Sequence, residues 1–123
     1  MKNEIFGNGL AGFAVREEAE PIVRRNRIHE NKQSGIYVFE KGRGTYEDND
    51  VFGSGYAGVR VRSGGAPTLR RNRVNKNGYE AIWLSDGGAG LYEDNDLREN
   101  TRGPWDIDAS ASAELKRARN IEK

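Results

Sequence analysis

The chain contains no cysteine, which removes both a disulfide framework and any thiolate metal site. It also lacks a charge of one sign: 20 basic against 19 acidic side chains leave a net charge of +1. A global electrostatic case for nucleic acid or an anionic membrane is therefore absent. No apolar run is long enough to cross a bilayer and no leader follows Met1, so a complete chain of this composition is expected in the cytoplasm. Hydrophobic residues make up only 35% of the 123 residues, which is little for one globular core. Such a chain can be disordered, but near-zero net charge and a strict repeat argue for order here.

What the sequence does have is a period. The phrase YEDND stands at 46–50 and again at 92–96, and RRNR stands at 24–27 and at 70–73. Asn3, Asn26, Asn49, Asn72 and Asn95 follow one another at intervals of 23 residues. A second polar column, Asn8, Asn31, Ser54, Asn77 and Asn100, lies five residues further on, and a small-residue column, Gly12, Gly35, Gly58 and Ala81, four beyond that, broken by Pro104.

Between these markers the apolar positions alternate with period two. Ile5, Ile28, Val51, Val74 and Leu97 form one column; Phe13, Ile36, Val59, Ile82 and Trp105 a second. Val15, Val38, Val61, Leu84 and Ile107 form a third; Val23, Tyr46, Leu69, Tyr92 and Leu115 a fourth. Alternating, β-branched triplets bounded by glycine-rich turns are strand patterning. Three short strands per 23-residue unit, like stacked on like, predict an all-β fold: a single-stranded parallel β-helix forming one domain over 1–123. Its five rungs start near 3, 26, 49, 72 and 95. A partial sixth rung over 113–121 is preferred to a capping helix, with Leu115 under Tyr92, and Lys116, Arg117 and Arg119 opposite Glu93, Asp94 and Asp96.

The same stacking explains the charged phrases. Arg24, Glu47, Arg70 and Glu93 fall in one column; Arg25, Asp48, Arg71 and Asp94 in the next; Arg27, Asp50, Arg73 and Asp96 in a third. Like charges stacked in a sheet repel, and alternation removes that penalty. The inward Asn columns read as caps of turn backbone bonded to the Asn above and below.

GIYV, GVRV and AIWL, each followed by a polar turn, resemble the repeats of right-handed parallel β-helices of the pectin-lyase-like superfamily, especially F-box β-helix proteins and CASH-type repeats. The resemblance runs over residues 3–119 and implies the fold. It leaves function open, since such solenoids include lyases, hydrolases and pure binding modules.

Motif by motif, little chemistry is encoded. GNGLAG and GSGYAG match a dinucleotide fingerprint but have no helix to open, so they read as turns. Asp48 and Asp50 start like a calcium loop, yet Phe52 and Val59 stand where further ligands belong. GGAGLY at 87–92 starts like a calcium β-roll, with Tyr92 at the ligand position. His29 shares its column with Phe6, Phe52 and Asn75, which gives a metal or catalytic role little support. No metal, cofactor or catalytic residue is assigned. Ladder carboxylates recur every second rung, about 9.6 Å apart, near the separation of an inverting pair, but the arginine between them holds both ionised.

One face stands out. The outward residues Ala14, Tyr37, Arg60, Trp83 and Asp106 are followed by Arg16, Phe39, Arg62, Ser85 and Asp108. The candidate ligand-binding residues are therefore Arg16, Tyr37, Phe39, Arg60, Arg62 and Trp83. Arg60 is expected to present its fork between the two rings to a carboxylate or sulfate. The expected function is a noncatalytic module that binds an extended acidic saccharide or a partner protein; the alternative is a polysaccharide lyase or glycoside hydrolase fragment. Both ends look uncapped, which predicts end-to-end self-association or continuation in a longer β-helix chain.

Overall fold

The computed structural model describes residues 4–7, 9, 11–17, 19–111 and 115–122. Asn3, Asn8, residues 113 and 114, and the side chain of Ile5 lie outside the described residues. The described residues form fourteen three-residue strands, β1 to β14, and no helix.

They fall into three parallel sheets. Sheet A stacks β1 (Glu4–Phe6), β4 (Arg27–His29), β7 (Asp50–Phe52) and β10 (Arg73–Asn75). Sheet B stacks β2 (Phe13–Val15), β5 (Ile36–Val38), β8 (Val59–Val61), β11 (Ile82–Leu84) and β13 (Trp105–Ile107). Sheet C stacks β3 (Ile22–Arg24), β6 (Thr45–Glu47), β9 (Thr68–Arg70), β12 (Leu91–Glu93) and β14 (Lys116–Ala118). Through β12 and β13 the pairing joins residues 23 apart, as in Val23 with Tyr46 and Val59 with Ile82. Middle residues of sheets A and C, and flanking residues of sheet B, point inward. Ile28, Val51, Val74, Val59, Val61, Leu69 and Leu84 are wholly buried.

Sheets C and A meet at a one-residue bend. Arg25, Asp48, Arg71, Asp94 and Arg119 each have φ between 53° and 58°, the left-handed region, and the ladder Asn follows at once. This conformation is disfavoured for residues with a Cβ. It is held because the next residue locks the corner. The backbone N–H and Nδ2 of Asn49 both donate to Asn72 Oδ1 at 2.9 and 3.0 Å, and Nδ2 also donates to the Val23 carbonyl at 2.9 Å. Asn72 does the same to Asn95 Oδ1 and to the Tyr46 carbonyl. The second column repeats this from Asn77 to Asn100, while Ser54, being shorter, leaves its buried hydroxyl without a hydrogen-bond partner.

The last rung departs from the expected register. Tyr92 pairs with Arg117, not Leu115, so the spacing is 25 residues. Earlier turns from sheet B to sheet C use paired left-handed residues, Glu40–Lys41, Ser63–Gly64 and Asp86–Gly87. The corresponding stretch 108–115 has eight residues where the earlier turns 16–21, 39–44, 62–67 and 85–90 have six, and these two extra residues carry into the register. The sixth rung is thus a strand as expected, but Arg117 occupies the inward column and Asn120, not Ala118, extends the ladder, its Oδ1 accepting from Asn95 N–H and Nδ2. Leu115 is half-buried beside the core instead of in it.

Two measurements check this account. Asn72→Ala removes the acceptor of two buried donors and should lower stability by roughly 2–5 kcal/mol in urea unfolding. Tyr46 and Tyr92 are wholly buried and donate to the Arg43 and Ala89 carbonyls at 2.8 and 2.6 Å; burial raises both phenol pKa values above 10.0. A raised phenol favours the neutral fold, so this contribution is present below pH 10.0 and is lost as pH rises beyond it. Tyr92→Phe should shift the alkaline unfolding midpoint upward while weakening the fold near neutrality by about 1 kcal/mol.

Candidate functional site

The outward residues of sheet B stack as the pattern demands, Ala14 beside Tyr37, Tyr37 beside Arg60, Arg60 beside Trp83 and Trp83 beside Asp106. The chain can enter β8 this closely because residue 58 is glycine: a Cβ there would collide with Val74 and Asn77. Beside this column a cleft of about 230 Å³ opens, with Gln33, Tyr37, Tyr56, Arg60, Arg62 and Trp83 in its walls.

Of the candidates, Tyr37, Arg60, Arg62 and Trp83 are brought together. Phe39 supports them from outside the cleft, its ring stacked on Tyr37 at 4.3 Å and 15°. Arg16 stands apart, with its guanidinium 3.7 Å from Glu17. Arg60 does not present an open fork. Its guanidinium lies 3.8 Å from the centre of the Trp83 ring, and it donates to the Val61 carbonyl at 3.0 Å and to Ser85 Oγ at 2.7 Å. It is a clamp that fixes Trp83. Burial first and the neighbouring Arg62 second push its pKa down, against the opposing pull of Tyr37, Asp106 and Asp108. Arg60 is thus half-buried within the field of Arg62, which is exposed and makes no ion pair among the described residues.

A second wall was not singled out in the sequence. Gln33, Tyr56, Tyr79 and Arg102 recur at 23-residue intervals, just before the small-residue column. Tyr56 and Tyr79 stack at 5.1 Å, Arg102 lies 3.8 Å over Tyr79, and Tyr79 meets Trp83 at 6.4 Å. The aromatic surface thus wraps from sheet B onto the turns leading into it. The repeat itself was the signal that could have found it.

The charged columns behave as structure. Arg24 Nε meets Glu47 at 2.9 Å, Arg70 Nε meets Glu93 at 2.6 Å, and Arg70 also reaches back to Glu47 at 3.9 Å. Arg71 pairs with Asp48 and Arg73 with Asp50, both at 3.2 Å. Asp96 departs from the pattern and takes Arg98 at 2.8 Å. The two-residue shift of the last rung also moves its pairs: Arg119 meets Asp94 at 2.9 Å instead of facing Asp96. The carboxyl groups whose pKa moves all move down: Asp94 through Arg119, Asp96 through Arg98, and Asp108 through Ser110. None of these three suits a general acid.

A family model described as a right handed beta helix region matches residues 1–118. No curated protein and no solved structure matches the chain.

The ladders predict a salt-dependent variant. Changing Glu47, Asp48 and Asp50 together to Arg puts three basic rungs in contact. Cooperative thermal unfolding should be lost at low salt and partly regained at about 1 M salt, where screening falls to roughly 3 Å. Identical melting at both salt levels would show that charge alternation has no structural weight.

Proposed function

The chain belongs to the right-handed β-helix family, and on that premise we propose that it is a noncatalytic binding module whose ligand is an extended saccharide carrying carboxylates or sulfates, seated along sheet B. The observation that carries this reading is the convergence of Tyr37, Tyr56 and Trp83 with Arg60 and Arg62 around one shallow cleft. Rings supply apolar faces for sugar rings, and strands two rungs apart place Tyr37 and Trp83 about 9.6 Å from each other along the axis, close to a disaccharide unit.

The division of labour follows from the contacts. Arg60 holds Trp83 in orientation and adds positive charge that is already partly desolvated. Arg62 is the side chain left to meet an anion, and a charge-assisted hydrogen bond to it contributes about 1.5–3 kcal/mol. An anionic group also relieves the repulsion between the two arginines, so acidic chains are preferred to neutral ones. The pairing of ladder carboxylates with arginine supports binding over hydrolysis or elimination. Tyr, Trp and Arg are also the usual anchors of protein interfaces, so a protein ligand at this cleft is the reading to adopt if glycans fail.

The test is titration of oligogalacturonate, a sulfated oligosaccharide and a neutral oligosaccharide into the protein. Acidic probes should bind and neutral ones should not. Arg62→Ala should weaken acidic binding by about tenfold or more, and Tyr37→Ala and Trp83→Ala by similar factors, with circular dichroism unchanged. Equal binding of neutral and acidic probes, or none at all, would overturn the saccharide reading.

A further inference from the structure

Among the asparagines of the chain, only Asn8 and Asn77 are followed by glycine. Asn8 lies outside the described residues, whereas Asn77 belongs to the second Asn column, where sheet A turns towards sheet B, and is 1% exposed. The fold needs both members of the Asn77–Gly78 pair. Asn77 Nδ2 donates to Asn100 Oδ1 at 2.9 Å and to the Val51 carbonyl at 3.3 Å, which closes the corner. Gly78 has no room for a side chain, since a Cβ there would lie 2.5 Å from the Gly55 carbonyl oxygen.

Asn77 is held less firmly than the members of the first column. The side-chain oxygens of Asn49, Asn72 and Asn95 each accept twice from the asparagine of the rung before, once from its N–H and once from its Nδ2. Asn77 Oδ1 accepts once, from Ser54 N–H at 3.1 Å, because serine has no carboxamide to offer. The Ser54 hydroxyl is itself buried without a hydrogen-bond partner. This corner therefore lacks one bond and carries an unsatisfied polar group, both of which favour local opening.

Asparagine is a thermolabile residue, and a following glycine leaves the next peptide nitrogen unshielded and its backbone mobile. That nitrogen is the nucleophile that attacks the asparagine carboxamide. In the closed fold it is kept away: Gly78 N–H donates to the Ser54 carbonyl at 2.8 Å, while Asn100 and Val51 hold the carboxamide. Parting of the third and fourth rungs at this corner releases nucleophile and carboxamide together.

We propose that Asn77–Gly78 is a site of spontaneous deamidation, held off by the closed ladder and released when this corner opens. The Gly78 nitrogen loses its proton and bonds to Asn77 Cγ. The bond from Cγ to Nδ2 breaks, and Nδ2 leaves with a proton as ammonia. Water then opens the cyclic imide at either carbonyl, giving aspartate or its β-linked isomer. Both products undo the corner. A carboxylate sets an oxygen against Asn100 Oδ1 and the Val51 carbonyl, two acceptors, in a place closed to water. The isomer also inserts a methylene into the main chain and shifts the stacking that follows. The change is one-way, so the solenoid accumulates a record of how often this corner has opened.

The experiment incubates the full chain at neutral pH, folded and in urea, and follows each asparagine by peptide mapping with mass spectrometry. Asn77 should convert at least about tenfold faster in urea than in the folded chain. In the folded chain it should convert ahead of Asn49, Asn72 and Asn95. Ser54→Asn supplies the missing donor, and Gly35 leaves space for it as Gly58 does for Asn77. It should slow conversion in the folded chain by about fivefold, the worth of one net hydrogen bond, and change nothing in urea. Asn77→Asp, the product made directly, should unfold at a lower temperature than the parent chain. Equal rates in the folded and unfolded chain would overturn the proposal, as would conversion spread evenly over the ladder asparagines. A folded Ser54→Asn chain that deamidates as fast as the parent would do the same.

Discussion

Everything in this solenoid hangs on the carboxamide that faces inward where sheet C turns into sheet A. A parallel strand ladder cannot satisfy the backbone where the chain turns, and a bend made by one left-handed residue leaves donors and acceptors aimed into the core. The column from Asn49 to Asn120 bonds them, each amide oxygen accepting from the ladder Asn of the rung before, and in the regular rungs each carboxamide donates to a carbonyl 26 residues earlier. Buried polar chains of this kind stabilise the fold only when every member is paired. The spacing between rungs is consequently fixed by the ladder, and the apolar columns, charge columns and outward stripe inherit it.

That inheritance is why so much was legible. The 23-residue recurrence of Asn, of small residues and of paired apolar positions sufficed to place the strands from β1 to β13. Where the sequence misled, the reason was physical. The turn over 108–115 is two residues longer than its predecessors, so counting forward from Tyr92 lands on Leu115 where the fold puts Arg117. Asn120 carried the correct answer, since it follows an arginine in the way Asn26 and Asn72 do.

The candidate site was legible in position and less so in role. Alternation showed that Tyr37, Arg60 and Trp83 face outward. It could not show that Arg60 spends its donors on Val61 and Ser85 and its charge on the Trp83 ring. Nor did strand patterning draw attention to Tyr56 and Tyr79, which lie in turns. The contrast between sheets is informative: sheet C matches charge to opposite charge from Arg24 through Glu47 and Arg70 to Glu93, whereas beside sheet B Arg60 lies against an aromatic ring and Arg62 has no counter-ion among the described residues. Identical backbone geometry produces a neutralised face and a cationic, apolar one.

Sign alternation along sheet C also sets a rule for how such a chain can change length. Inserting or deleting one rung would bring two rungs of the same sign together. Two rungs at a time restore the sequence of signs, so the smallest change that leaves every ladder intact is 46 residues, the interval at which YEDND returns. The unit of architecture is one coil, but the unit of growth is a pair.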